Sequence, residues 1–102
     1  MLSVIVCTYN RAKSLAVVLE DLNRQTVPPD FKWELIIVDN NSKDETRPLV
    51  EAFAKRAAMP VRYIFESRQG KSFALNTGIE NATYEYLGFT DDDVRVPDGW
   101  AH

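Results

Sequence analysis

Apolar residues fall into two alternating patterns along this chain. Leu2 to Cys7, Leu35-Ile36-Ile37-Val38, Val61 to Phe65 and Tyr86 to Thr90 are short, nearly continuous apolar runs. Runs of that length read as strands buried on both faces. Between them lie amphipathic stretches. Leu15, Val18, Leu19 and Leu22 recur at i, i+3, i+4 and i+7 within Asn10 to Gln25, which is one face of a helix ended by Pro28-Pro29. Leu49, Val50, Phe53, Ala54 and Ala57 mark a second helical face, with Thr46 as its N-cap and Pro48 in its first turn. A third helix is expected from about Ser72 to Ala82, buried through Ala74, Leu75, Gly78 and Ile79. The order is β-α-β-α-β-α-β. Strands joined by helical crossovers lie parallel, with helices on both faces of the sheet.

In such sheets ligands bind beyond the carboxyl ends of the strands. The four strand exits read Thr8-Tyr9-Asn10-Arg11, Asp39-Asn40-Asn41-Ser42, Glu66-Ser67-Arg68-Gln69-Gly70-Lys71 and Asp91-Asp92-Asp93. All four are polar where the strands are apolar.

Composition narrows the classes. The chain has 102 residues and a net charge of -3, with 45% hydrophobic and 26% charged residues. That is one ordinary globular domain. The negative balance and the lack of a Lys/Arg block argue against nucleic acid or an anionic membrane as the main partner. No apolar stretch reaches the ~18 residues of a membrane span. The N-terminal apolar run lacks a basic flank and a cleavage site. The single Cys7 lies in an apolar run and reads as a buried structural thiol. The expected location is a reducing compartment, the cytoplasm.

The aspartate triplet carries the sharpest chemistry. Alternate residues of an extended chain point the same way, so Asp91 and Asp93 can share a side. Two carboxylates roughly 6 Å apart repel by about 3 kcal/mol at an effective dielectric of 20. A hard cation such as Mg²⁺ or Mn²⁺ removes that penalty and is completed by substrate phosphates. The competing reading is a solvated acidic turn. Asp39 can accept from an N–H donor such as a uracil imide, or it can close its own loop with Asn40 and Asn41. Asn10 can line a site or cap a helix, and Tyr9 can cover a base or only the sheet end. Arg68 and Lys71 flank Gly70 before a helix, which makes either an anion site or two solvated charges. His102, the only histidine, has no assigned role. Cys7 lacks a histidine to activate it as a nucleophile.

Four segments in this order resemble the N-terminal half of a family-two glycosyltransferase with the GT-A fold. They are Ser3 to Arg11, Glu34 to Thr46, Gly70 to Ala82 and Tyr86 to Trp100. The resemblance implies a Rossmann-like three-layer α/β/α domain, mainly parallel, with strand order 3-2-1-4. It implies a site for a nucleotide-diphosphate sugar, a UDP-sugar by family default. Thr8, Tyr9, Asn10 and Arg11 would lie along the nucleoside, and Asp39 would bind the base. Arg68, Lys71 and Asn76 would lie near base and diphosphate. Asp91-Asp92-Asp93 matches the family's Asp-x-Asp motif, with Asp91 near the ribose or metal and Asp93 holding Mn²⁺ or Mg²⁺.

The family continues well past that motif into an acceptor half that carries the general base. The expectation is therefore that residues 1–102 form the nucleotide-sugar-binding half, incomplete for catalysis alone, with no catalytic residue of its own. A longer protein could then lie at the cytoplasmic face of a membrane. The outer edge of the fourth strand, with Phe89 and Trp100, is expected to be left uncovered and to favour self-association. Three other classes compete with this one. A non-catalytic nucleotide-sugar or protein-binding module would keep the fold without transfer. A nucleotidyltransferase would carry a glycine-rich basic loop after the first strand, where this chain has Thr8-Tyr9-Asn10-Arg11-Ala12. An aspartate-nucleophile phosphohydrolase ranks below both, because the first strand ends in no aspartate.

Overall fold

The computed structural model describes residues 2–25 and 30–91. Pro28-Pro29, Asp92, Asp93, Trp100 and His102 lie outside the described residues. Seven elements follow in order: β1 (Leu2–Thr8), α1 (Ala12–Asn23), β2 (Trp33–Asp39), α2 (Thr46–Arg56), β3 (Val61–Phe65), α3 (Lys71–Asn81) and β4 (Tyr86–Asp91). The strands form one parallel sheet in the order β3-β2-β1-β4, as expected.

Alternation along the strands divides the core in two. Val4, Val6, Leu35 and Ile37 face one side and pack against Leu15, Val18, Leu19 and Leu22 of α1 and Val50 and Phe53 of α2. Ile5, Ile36 and Val38 face the other side and pack against Ala74 of α3. Central β2 is buried along its whole length, which is why its sequence shows no polar alternation. Gly78 lets α3 lie close to β1, because a Cβ there would stand 2.6 Å from Ile5 Cγ2. No described helix is long and apolar enough to cross a membrane.

Local expectations need four corrections. Thr46 is the first residue of α2, not its cap, and Asp44 accepts from both its N–H and its hydroxyl. Ala54 is exposed, because α2 buries a narrower face through Val50 and Phe53. Ile79 is also exposed, at 44%, because α3 sits over β1 and β2 and leaves the flank beside β4 open. Cys7 is only partly buried, since the same open flank reaches it.

Among the described residues β4 pairs with β1 alone. Tyr86, Leu87 and Phe89 are exposed along it, at 66%, 37% and 47%. That agrees with the expected apolar edge.

Candidate functional site at the strand exits

All four strands run parallel, so all four exits meet at one edge of the sheet. The register sets their levels: Thr8 lies beside Asp39, Asp39 beside Phe65, and Cys7 beside Asp91. Two adjoining cavities open there. One, of about 330 Å³, is lined by Thr8, Tyr9, Asn40, Gln69, Gly70 and Lys71, with Cys7 and Ala74. The other, of about 390 Å³, is more apolar and lies between α3 and β4, lined by Ile5, Leu75, Ile79, Phe89 and Thr90. Cys7 and Lys71 line both. Volumes of this size suit a small-molecule ligand.

The β1 and β2 exits are laced together. Asn10 has a left-handed backbone, φ 50°. Its N–H donates to Ser42 Oγ at 2.8 Å, and its Oδ1 accepts from the Lys43 N–H at 2.6 Å. It is therefore a loop tie, not the N-cap of α1; Arg11 holds that position without a side-chain cap. Asp44 Oδ2 accepts instead from the Ala12 N–H at 3.2 Å, while Oδ1 serves Thr46. One carboxylate thus serves the N-termini of two helices, which favours its charge. The Thr46 hydroxyl, then the Ala12 and Thr46 amides, hold the Asp44 carboxyl below its usual range.

Asp39 is buried at 2% exposure. Its Oδ1 accepts from the Ser42 N–H at 2.8 Å and its Oδ2 from the Tyr63 hydroxyl at 2.5 Å. Asp39 therefore closes its own loop. A carboxylate has about four acceptor positions, so these two contacts do not exhaust it, although Asp39 lines neither cavity. Burial, and next the Asp39 carboxylate, push the Tyr63 phenol well above its usual range. Arg47 stacks over the Tyr63 ring at 5.5 Å.

Asn40 holds the third wall, and sequence pattern gave no sign of it. Its Nδ2 donates to the Arg68 carbonyl at 2.6 Å and the Glu66 carbonyl at 3.2 Å. Its Oδ1 accepts from the Gly70 N–H at 3.0 Å. Its own N–H donates to the Thr8 carbonyl, and its carbonyl accepts from Gln69 Nε2. A single buried amide thus joins β1, the 66–70 loop and the start of α3. Gly70 has φ 132°, a conformation that glycine adopts without steric cost.

Inside that loop, Glu66 accepts from Arg68 Nε at 3.0 Å and Nη2 at 2.9 Å, and from the Thr77 hydroxyl at 2.5 Å. Phe73 lies 4.8 Å from the Arg68 guanidinium. Arg68 is thus neither a lone solvated cation nor wholly committed to an anion site; it braces the loop. Arg68, then Thr77, pull the Glu66 carboxyl down to about 2, from 4.5. A depressed folded-state value stabilises the fold above the unfolded value and loses that effect as pH falls through the folded one. Glu66→Gln is therefore expected to be less stable than the parent at pH 7. The gap should narrow below pH 4.5 and vanish near pH 2 in thermal melts run across that range. A gap independent of pH would contradict the ionic brace.

Of the expected site residues, Thr8, Tyr9 and Lys71 line the cavity. Asn10 and Asp39 build its neighbouring loops. Arg11, Arg68 and Asn76 are exposed and lie outside the described lining. Asp91 ends β4 beside Cys7, and Asp92 and Asp93 follow beyond the described residues. Among the described residues no three His, Cys, Asp or Glu side chains gather as a metal site. The triplet's side chains are oxygen donors, the ligand type that a hard dication takes.

The sequence profile described as Glycosyl transferase family 2 matches residues 3–102. The succinoglycan biosynthesis protein ExoM of Rhizobium meliloti is 33% identical over 95 residues, 93% of this chain and 30% of that protein. Glycosyltransferase AglE of Haloferax volcanii is 34% identical over 98 residues, 96% of this chain and 32% of that protein. The chain thus spans about a third of the length of these relatives. The mannosyltransferase PcManGT from Pyrobaculum calidifontis, solved with GDP-Man and Mn²⁺, superposes with a TM-score of 0.87 at 35% identity. That match covers 96% of this chain and 29% of the other. S. aureus TarS 1–349 with UDP gives a TM-score of 0.80 at 29% identity, covering 90% and 27%.

Proposed function

Because the chain belongs to glycosyl transferase family 2, we propose that it is the donor-binding part of an inverting, metal-dependent sugar transferase. The observation that carries this reading is the convergence of Thr8, Tyr9, Asn40, Gln69, Gly70 and Lys71 around one cavity, beside the strand that leads into the aspartate triplet. Tyr9 offers an aromatic face at 47% exposure, suited to a base. Lys71 and the first turn of α3 offer positive potential to a diphosphate. Asp39 offers an acceptor to a ring N–H, which uracil presents as an imide and guanine as a lactam. The solved neighbours, one with GDP-Man and Mn²⁺ and one with UDP, support a nucleotide of that kind.

Asp91 and Asp93 would hold the Mn²⁺ or Mg²⁺. When bound, that ion offsets the negative charge that develops on the departing nucleoside diphosphate. The residues seen here bind and orient the donor. The general base and the acceptor site belong to chain outside these 102 residues in this reading.

A thermal-shift screen tests it. UDP or GDP is expected to raise the melting temperature in the presence of Mn²⁺, and CDP and ADP to do so much less. A ligand at a hundredfold excess over its Kd stabilises by about 2.7 kcal/mol. No shift with any nucleotide, or equal shifts with all four, would overturn the reading.

A further inference from the structure

Glu34 is a buried carboxylate with no part in the cavity. It is 5% exposed and lies near the start of β2, at the opposite end of the sheet from the strand exits. A buried charge is costly unless paired and hydrogen-bonded. Its partners all lead to one place. Glu34 Oε2 accepts from Ser3 Oγ and from the Thr83 N–H, each at 2.7 Å, and Oε1 accepts from the Thr83 hydroxyl at 3.1 Å. Ser3 Oγ in turn accepts from the Tyr84 N–H at 3.0 Å. Arg62 Nη1 lies 3.5 Å from Glu34 Oε1 and donates to the Asn81 carbonyl at 2.5 Å. Three strands thus hold the short connection between α3 and β4.

β4 starts two residues later, with Tyr86 opposite Leu2, and ends with Asp91 opposite Cys7. Beyond its backbone ladder with β1, little holds it there. Among the described residues it has one strand neighbour, and Tyr86, Leu87 and Phe89 are exposed along it. A strand with so little side-chain packing has a weakly specified register, and a one-residue slip sends every side chain to the opposite face. It would also shift the exit by about 3.3 Å.

We propose that Glu34 is a positioning residue: by clamping Thr83 and Tyr84 with Ser3 and Arg62, it sets the register of β4 on β1 and so brings Asp91, where the aspartate triplet begins, level with Cys7 at the site. This rests on the reading that the triplet holds the metal. The cavity walls from β1, β2 and the 66–70 loop are built without Glu34, so metal-free nucleotide binding is independent of the clamp.

Glu34→Gln and Ser3→Ala test this in the 102-residue chain. UDP affinity is measured by calorimetry in EDTA and in Mn²⁺, and amide hydrogen exchange is followed across the sheet. The enhancement of UDP affinity by Mn²⁺ is expected to fall at least tenfold in both variants, with affinity in EDTA within twofold of the parent. Exchange is expected to speed up at residues 86–91 and to stay slow at residues 35–38. A lowered melting temperature with an unchanged Mn²⁺ enhancement would overturn the proposal and leave Glu34 a stabiliser only. If Glu34→Gln does not fold, Ser3→Ala, which removes one hydroxyl, decides the matter. If the parent itself shows no Mn²⁺ enhancement, the metal reading fails. The clamp is then judged on exchange: acceleration confined to residues 86–91 supports it, and acceleration spread evenly over the sheet overturns it.

Discussion

Asp93→Ala is expected to abolish Mn²⁺-dependent nucleotide binding while leaving the fold intact. The fold is insulated because all the described strands, helices and core residues lie at or before Asp91. The site is sensitive because an oxygen-coordinated dication bound through one or two carboxylates loses a large share of its protein ligands with one of them. Removing a like charge beside Asp91 and Asp92 also relieves repulsion, so the variant should melt at the parent's temperature or slightly above it without ligand. The ~2.7 kcal/mol that saturating nucleotide adds to the parent in Mn²⁺ should be missing. Equal calorimetric binding of UDP and Mn²⁺ by variant and parent would show that the metal is held elsewhere.

Asp39→Ala is expected to weaken UDP or GDP binding by roughly 1–3 kcal/mol, the range for leaving a buried partner unpaired. That corresponds to about 5- to 150-fold in Kd. The same change also frees the Ser42 N–H and the Tyr63 hydroxyl, so part of any loss can come through the loop. Tyr63→Phe separates the two effects, because it removes one loop contact and keeps the acceptor. Tyr63→Phe should bind nearly as well as the parent, and Asp39→Ala should not. Equal losses in the two variants would leave Asp39 with only its loop-closing role.

The strands, the helices and the parallel order were legible because each rests on a repeating pattern. Val4 to Val6 and Leu35 to Val38 carry no polar interruption, and both faces of those strands are buried. Leu15, Val18, Leu19 and Leu22 repeat at helical spacing, and all four are buried. Helix starts were less legible. Asn10 and Thr46 are residue types that cap helices, yet Asp44 caps both from a loop 32 residues beyond Ala12. Glu34 and Glu66 were not singled out as structural groups, and Asn40 only as part of the loop that Asp39 closes. Their partners lie up to 49 residues away, and a hydrogen bond between distant polar residues leaves no periodic trace. Ile79 misled for a related reason: apolar spacing tells which face of α3 is hydrophobic, not whether a neighbour covers all of it.

Titration of the ¹⁵N-labelled chain with a nucleoside diphosphate and substoichiometric Mn²⁺ tests the central claim most directly, because the paramagnetic ion broadens amide signals close to it. The account predicts broadening of residues 7–10, 70–71 and 90–91, which meet at the carboxyl edge of the sheet, and of Asp92 and Asp93, which follow in sequence, with Glu34 and Thr83 at the opposite end unaffected. Broadening centred on another acidic group such as Asp44-Glu45, or none that depends on nucleotide, would contradict it.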